Sequence, residues 1–350
     1  MNMSKVRWGV IGCGGIADRR TIPGMLLADN AELVAVMDAS MEAAQRVKEK
    51  YNVPYAFDNT DELLAVDGID AVYIASPVFC HKEQVEAAAK AGKHILLEKP
   101  IGLDIAEAEE IIAICEKANI KLGVGFMMRF AAFHEKMKEI IAEGKIGKLV
   151  SARAEFTCWY PTMDNCWRQE AKLSGGGAMM DMGIHCIDLI RYITGAEFTQ
   201  VAGIADNQVF EYNGVEDAGY LIGRLSNGAV AYVGANFNIP DEIAKCALEF
   251  YGTAGSLTAV GTLSQIETGT VELVCGDSSA QYDAQQNRTM AEPVKLEVEF
   301  GNMYTKEIEG FGKAVLGEGE IPVTAADALA AQKVVESVYK SNSGNTHIKL

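Results

Sequence analysis

Three short groups of residues in this sequence could do chemistry together. Gly12-x-Gly14-x-x-Ala17 follows an apolar run and opens a helical pattern. Gly12 permits a tight turn, Gly14 lets backbone approach a ligand with no Cβ in the way, and Ala17 allows close helix–strand packing. Gly15 and Ile16 complete the loop, and the helix N-terminus offers unpaired N–H groups to a pyrophosphate. A dinucleotide site is expected here. Asp38 ends the next apolar run, about 20 residues on, where a ribose-binding acid belongs. Its carboxylate suits both ribose hydroxyls of NAD and repels the 2′-phosphate of NADP. No Arg follows in Ala39-Ser40-Met41, so NAD is the expected cofactor and NADP the less favoured one.

The second group is Glu98-Lys99-Pro100, just past a strand candidate. Strand C-termini are where open α/β sheets bind ligands, and a Lys there can act on a substrate hydroxyl. The third runs from Gly175-Gly176-Gly177 through Asp181 and His185 to Asp188. On a helix these last three fall at i, i+4 and i+7 and share a face. His185 is expected to take a hydroxyl proton, with Asp181 fixing its tautomer, while Lys99 hydrogen-bonds the same oxygen. Lowering a lysine by ~3 pKa units corresponds to roughly 4 kcal/mol, whereas a free His needs almost no shift. The choice of base between His185 and Lys99 stays open on this evidence. No second His stands near and no H-E-x-x-H occurs, so no metal is expected. In the loop 159–165, Trp159 and Tyr160 suit either the face of a sugar ring or packing at a strand end.

These residues need a scaffold. Short apolar strands at Val6–Ile11, Ala31–Met37, Ala71–Ile74, His94–Leu97 and Lys121–Val124 alternate with helical patterns at Gly15–Ala28, Met41–Lys50, Lys82–Ala91 and Ile105–Ala118. That grammar predicts a doubly wound parallel sheet. Near residue 145 it changes to longer alternating runs: Leu149–Trp159, Thr199–Phe210, Ala218–Leu225, Ala229–Phe237, Ala247–Tyr251 and Val294–Phe300. A large, mainly antiparallel sheet is expected, interrupted by helices at Gly177–Ile193 and Met303–Leu316 and followed by one at Ala325–Tyr339.

The net charge of −17 argues against nucleic acid and against an anionic membrane surface. No apolar stretch approaches a bilayer span. The eight cysteines form no C-x-x-C pair, and no basic-then-apolar leader opens the chain, so a reducing, cytoplasmic setting is expected.

The ordered set Gly12-Cys13-Gly14-Gly15-Ile16-Ala17, Glu98-Lys99-Pro100, Gly125-Phe126-Met127-Met128-Arg129-Phe130, Trp167-Arg168 and Gly175…Asp181…His185…Asp188 resembles the Gfo/Idh/MocA oxidoreductases. That family is named for glucose-fructose oxidoreductase and inositol dehydrogenase, and the likeness runs from residue 6 to about 345. It implies an α/β chain: an N-terminal Rossmann domain (1–124), a C-terminal α+β domain with a large open sheet (125–321), and a helix and tail (322–350) packing back near the first domain. It implies hydride transfer between NAD(P) and a hydroxyl of a sugar, inositol or related polyol, in homodimers or homotetramers formed through the C-terminal sheet. Lys99, Asp181 and His185 match the family's catalytic positions. Trp167, Arg168 and Tyr304 resemble its cofactor contacts from the second domain, and Ser76, Pro77 and His81 its loop facing the nicotinamide, beside Glu98. Arg129, Trp159 and Tyr160 join the expected substrate contacts. Val78 stands where Asn is common, and Met127-Met128 remove a polar contact, so sugar specificity is not carried over. Two rival functions are a redox-assisted glycosidase or lyase that recycles its NAD in place, and a non-catalytic dinucleotide sensor. The sensor reading sits poorly with retention of Lys99 and His185.

Overall fold

The computed structural model describes residues 4–277 and 291–350. Its first part runs β1 (Val6–Ile11), α1 (Ile22–Leu27), β2 (Ala31–Met37), α2 (Met41–Tyr51), β3 (Tyr55–Phe57), α3 (Thr60–Leu64), β4 (Ala71–Ile74), α4 (His81–Lys90), β5 (His94–Glu98), α5 (Ile105–Lys117) and β6 (Leu122–Gly125). The six strands pair in parallel in the order β3-β2-β1-β4-β5-β6. The chain leaves β1 in one direction and returns to β4 on its other side, which opens a crevice at the strand C-termini. Strands β1, β2 and β4 are mainly apolar and buried along almost their whole length, as a sheet covered on both faces requires. The three-residue β3 and five-residue α3 are too short for a hydrophobic period and were not expected.

The second part runs α6 (Ala132–Ala142), β7 (Leu149–Thr157), α7 (Ala171–Ser174), α8 (Ile184–Thr194), β8 (Phe198–Asp206), β9 (Ala218–Leu225), β10 (Val230–Asn236), β11 (Ala247–Gly252), β12 (Gly255–Val260), β13 (Thr270–Cys275), β14 (Val294–Lys295), α9 (Met303–Leu316), α10 (Ala325–Gly344) and β15 (Ile348–Lys349). The sheet order is β14-β13-β12-β11-β7-β10-β9-β8-β15. Every neighbouring pair is antiparallel except β7 with β10, so the sheet is mixed. The run expected to be a strand over Val294–Phe300 shortens to Val294–Lys295, and α6 emerges where no helix was expected. Among the described residues no helix is long and apolar enough to cross a membrane.

Two helices late in the chain return to the first sheet. Sequence grouping places α9 in the second part, yet its Ile308 and Phe311 join Val6, Trp8 and Val10 in one buried cluster. The rings of Trp8 and Phe311 lie 5.8 Å apart. Gly24 in α1 makes this approach possible, since a Cβ there would stand 2.7 Å from that of Tyr304. Helix α10 packs on α8 and β8, and its Gln332 Nε2 donates to the Gly102 carbonyl at 2.9 Å.

Two buried polar contacts fasten the segment after β6. Arg129 donates through Nε (2.8 Å) and Nη2 to both carboxylate oxygens of Asp188 on α8, with Asp327 of α10 at 3.4 Å. Arg129, expected among the substrate contacts, does not line the central pocket, although its neighbours Met127 and Met128 do; its Nε and Nη2 are taken up by Asp188, so it acts as a structural tie. His134 on α6 bonds the Met128 carbonyl through Nδ1 and meets Thr262 Oγ1 through Nε2. A neutral ring satisfies both contacts, because the threonine hydroxyl can donate to Nε2.

Arg129→Met is expected to lose about 3–5 kcal/mol in urea unfolding, because it strands a buried carboxylate. Adding Asp188→Leu should recover most of that loss. A single-variant loss below about 1 kcal/mol would refute the tie. Burial also pushes His134 down to about 4 from its ordinary 6.5. The unfolded chain therefore takes up this proton before the folded one does. Its contribution is complete above pH ~6.5 and disappears as pH falls through ~4, worth roughly 3 kcal/mol. His134→Gln should flatten that part of the pH–stability curve, and an unchanged slope would refute the assignment.

Candidate active site

The glycine loop is built against the ends of two neighbouring strands. Gly12 sits at φ +80°, and a Cβ there would lie 2.5 Å from the Ser76 backbone nitrogen. The Gly12 and Cys13 N–H groups donate to the Met37 carbonyl at 2.8 and 2.9 Å, which fixes the loop on β2. Asp38 accepts from Gly14 N through Oδ2 and from Ser40 N through Oδ1, both at 3.1 Å. Beyond Gly15 (φ +49°) nothing meets an added Cβ within 4 Å, so this side of the loop is open. A cradle this tight on one side and bare on the other fits a pyrophosphate with an acid at the ribose position. The expected helix over Gly15–Ala28 contains a π-helical turn at Ala17–Thr21, closed by Ile22 N donating to Ala17 O.

A pocket of about 320 Å³ opens next to this loop. The first part contributes Ile16, Ser76, His81, Glu98 and Lys99, and the second contributes Tyr160, Trp167, Arg168, Asp181 and His185, with Tyr304 from α9. Lys99 stands just past the end of β5. Its Nζ donates to Asp181 Oδ1 at 2.6 Å and to the Asp181 carbonyl at 2.7 Å. Burial alone would raise the Asp181 carboxyl, but Lys99 and then Arg168, whose Nε is 3.9 Å away, hold it well below the usual range.

The expected Asp181–His185 hydrogen bond is absent. Residues Met179–Gly183 form a second π-helical turn, with Ile184 N donating to Met179 O. That turn carries an extra residue, so positions four apart no longer stack. Asp181 turns to Lys99, while His185 Nδ1 is buried with no partner and the ring stands edge-on to Phe126 at 5.6 Å. Burial, with the nearby Lys99 cation adding to it, pushes His185 down to about 3, so its ring is neutral. Asp188, at i+7, faces Arg129 instead.

Around this pair the supporting contacts are dense. The Tyr73 hydroxyl donates to Glu98 Oε1 and accepts from Thr21 Oγ1 at 2.9 Å. Burial raises the Glu98 carboxyl. The ring of His81 bridges the Ser76 carbonyl at 3.1 Å and the Pro100 and Ile101 carbonyls at 3.1 and 3.2 Å, joining the loops after β4 and β5. The Arg168 guanidinium lies 4.3 Å over the Trp167 ring. Gly12, Gly14, Gly15, Asp38 and Pro77 border the cleft at the loops without lining the pocket itself. Trp159 does not line it either, contrary to expectation: it is exposed and packs on Phe210, with ring centres 5.0 Å apart. Among the described residues no group of His, Cys, Asp and Glu could hold a metal ion.

Sequence reading missed Glu216. Its carboxylate accepts from Gly177 N and Met179 N at 3.0 and 2.8 Å and from the Tyr339 hydroxyl at 2.9 Å, satisfying the N-terminus of the Asp181 turn. A Cβ on Gly177 would fall 1.9 Å from the Glu216 carbonyl oxygen, which explains that glycine. The missed cap is nearly forty residues distant in the chain, and no local motif announces it.

Comparison with known proteins agrees with this geometry. A family model described as an oxidoreductase family with an NAD-binding Rossmann fold matches residues 6–126, and the GFO/IDH/MocA C-terminal domain matches residues 134–258. The chain is 30% identical over 324 residues to a 1,5-anhydro-D-fructose reductase of Ensifer adhaerens, covering 92% of each protein. It is 27% identical over 347 residues to a D-xylose 1-dehydrogenase (NADP(+)) of Haloferax volcanii, covering 98% of this chain and 99% of that one. Its fold superposes on aldose-aldose oxidoreductase from Caulobacter crescentus with a TM-score of 0.88, at 23% identity, over 99% of this chain and 100% of the other. With both halves matched in order, the chain belongs to the Gfo/Idh/MocA family of oxidoreductases.

Proposed function

We propose that this enzyme uses NAD to interconvert a secondary hydroxyl and the corresponding ketone on a sugar or related polyol. The observation that carries this reading is the Lys99–Asp181 ion pair beside neutral His185, in a pocket that adjoins the glycine loop. Asp38 and the open side of Gly15 fit NAD, with Trp167, Arg168 and Tyr304 facing it from the other wall. Bound nicotinamide supplies the hydride acceptor or donor. Aromatic Phe156, Tyr160 and Phe237, together with polar Asp181 and Arg168, suit a ring bearing several hydroxyls. The sugar names of the relatives support the same class.

In the reductive direction Lys99 gives a proton to the carbonyl oxygen as negative charge develops there. Asp181 holds that ammonium in place and stays ionised. His185 acts as a neutral hydrogen-bonding partner. Proton transfer onto a ring of pKa about 3 is roughly 4 units uphill at pH 7, or about 5 kcal/mol. This reverses the expectation that His185 is the readier base. In the oxidative direction deprotonated Lys99 accepts the hydroxyl proton.

Lys99→Met should lower kcat by about 10²–10⁴-fold with NADH binding retained in a fluorescence titration. No acid limb in ketone reduction should cross pH 6–7, because His185 is already neutral there. An acid limb there that vanishes in His185→Asn would return the proton to His185. For the cofactor, kcat/KM with NAD should exceed that with NADP by about tenfold or more, and Asp38→Ser should narrow the gap. Faster turnover with NADP in the unaltered enzyme would sink the NAD assignment.

A further inference from the structure

A second cavity, of about 420 Å³, opens beside the pocket and has no part in the reading above. Trp167 lines both spaces. Between them the Tyr160 hydroxyl meets Cys166 Sγ at 3.1 Å, and Tyr212 donates to the Tyr160 carbonyl. The two spaces therefore adjoin at Trp167. The size lies in the ordinary range for small-molecule sites.

Its lining is chemically specific. Trp167 and Tyr212 supply aromatic surface, and Leu173 adds a small apolar patch. Thr162, Asn165 and Glu211 line it with polar groups that hydrogen-bond to no described side chain or backbone group. Glu170 is held by Asn213, whose Nδ2 donates to its carboxylate. The loop that forms the rim is already rigid: Gln169 is buried, donates to the Pro161 carbonyl and accepts from Met163 N, both at 2.8 Å. A site ordered before binding loses less entropy when it is filled. Two carboxylates line the cavity and no Lys or Arg does, so a phosphorylated or nucleotide-activated sugar would meet repulsion. Aromatic faces with free amide, hydroxyl and carboxylate groups are what a neutral, hydroxyl-rich ring requires.

We infer that this cavity holds a second sugar ring of the substrate, so that the preferred substrate is an uncharged disaccharide or glycoside oxidised or reduced on the ring next to Lys99. The inference rests on the sugar reading of the main pocket. One ring then sits against Lys99 and His185, the next lies past Trp167, and the second ring contributes binding while taking no part in the proton or hydride steps.

The test compares kcat/KM for glucose, galactose and xylose with that for cellobiose, lactose and xylobiose, and with glucose 6-phosphate, following NAD reduction by absorbance. At least one disaccharide is expected to exceed its own monosaccharide by about tenfold. Thr162→Trp, an exposed position filled with bulk, and Glu211→Ala should each erase most of that advantage while monosaccharide turnover changes by less than about twofold. Monosaccharide turnover with no disaccharide advantage would overturn this inference and leave the function standing. So would preference for glucose 6-phosphate, or an advantage that survives both variants. Failure of every sugar to react would overturn the proposed function, and this inference with it.

Discussion

The ion pair between Lys99 and Asp181 is the contact on which the rest of the site depends. Lys99 comes from the end of a parallel strand in the first sheet, and Asp181 from the turn before a helix of the second part. Neither residue has its proposed chemistry alone. The Lys99 cation holds the Asp181 carboxylate ionised, and burial, with that cation adding to it, keeps the nearby imidazole neutral. The Arg129–Asp188 pair, the Glu216 cap and the His81 bridge fix the backbones on either side. Small displacements at such a site are costly to rate, and here each neighbour is fixed by a separate buried contact.

Both π-helical turns fall at this cleft, one behind the glycine loop and one carrying Asp181. Wide turns of this kind recur at functional sites. The second explains a pairing that helical periodicity alone would get wrong. Four-residue spacing within a regular helix would stack Asp181 on His185. With one residue more in the turn, the two side chains diverge, and Asp181 meets Lys99 while His185 Nδ1 is left without a partner.

What could be read from the sequence was what is local. The glycine loop, Asp38 and the Glu98-Lys99-Pro100 turn each sit at a strand end, and strand ends are written in short apolar runs. Helix α9 was bounded at Met303–Leu316 by the same kind of pattern. What could not be read depends on distant partners. The spent state of Arg129 requires Asp188, the glycine at 177 requires Glu216, and the solvent exposure of Trp159 follows from how the rim loop packs on Phe210. Strands β12 and β13 escaped notice because their period is weak and their order in the sheet is set by neighbours far away in sequence.

Helix α9 has a consequence for how the chain is made. Trp8 on the first strand finds its cover in Phe311, three hundred residues later. Outside α9, the rest of that apolar cluster comes from earlier in the chain, with Ile22 and Met25 of α1 and Ala44 and Val47 of α2, so α9 closes a core that the first half has already begun. A chain interrupted before α9 therefore lacks the cover over Trp8, and full burial of the first sheet waits for that helix.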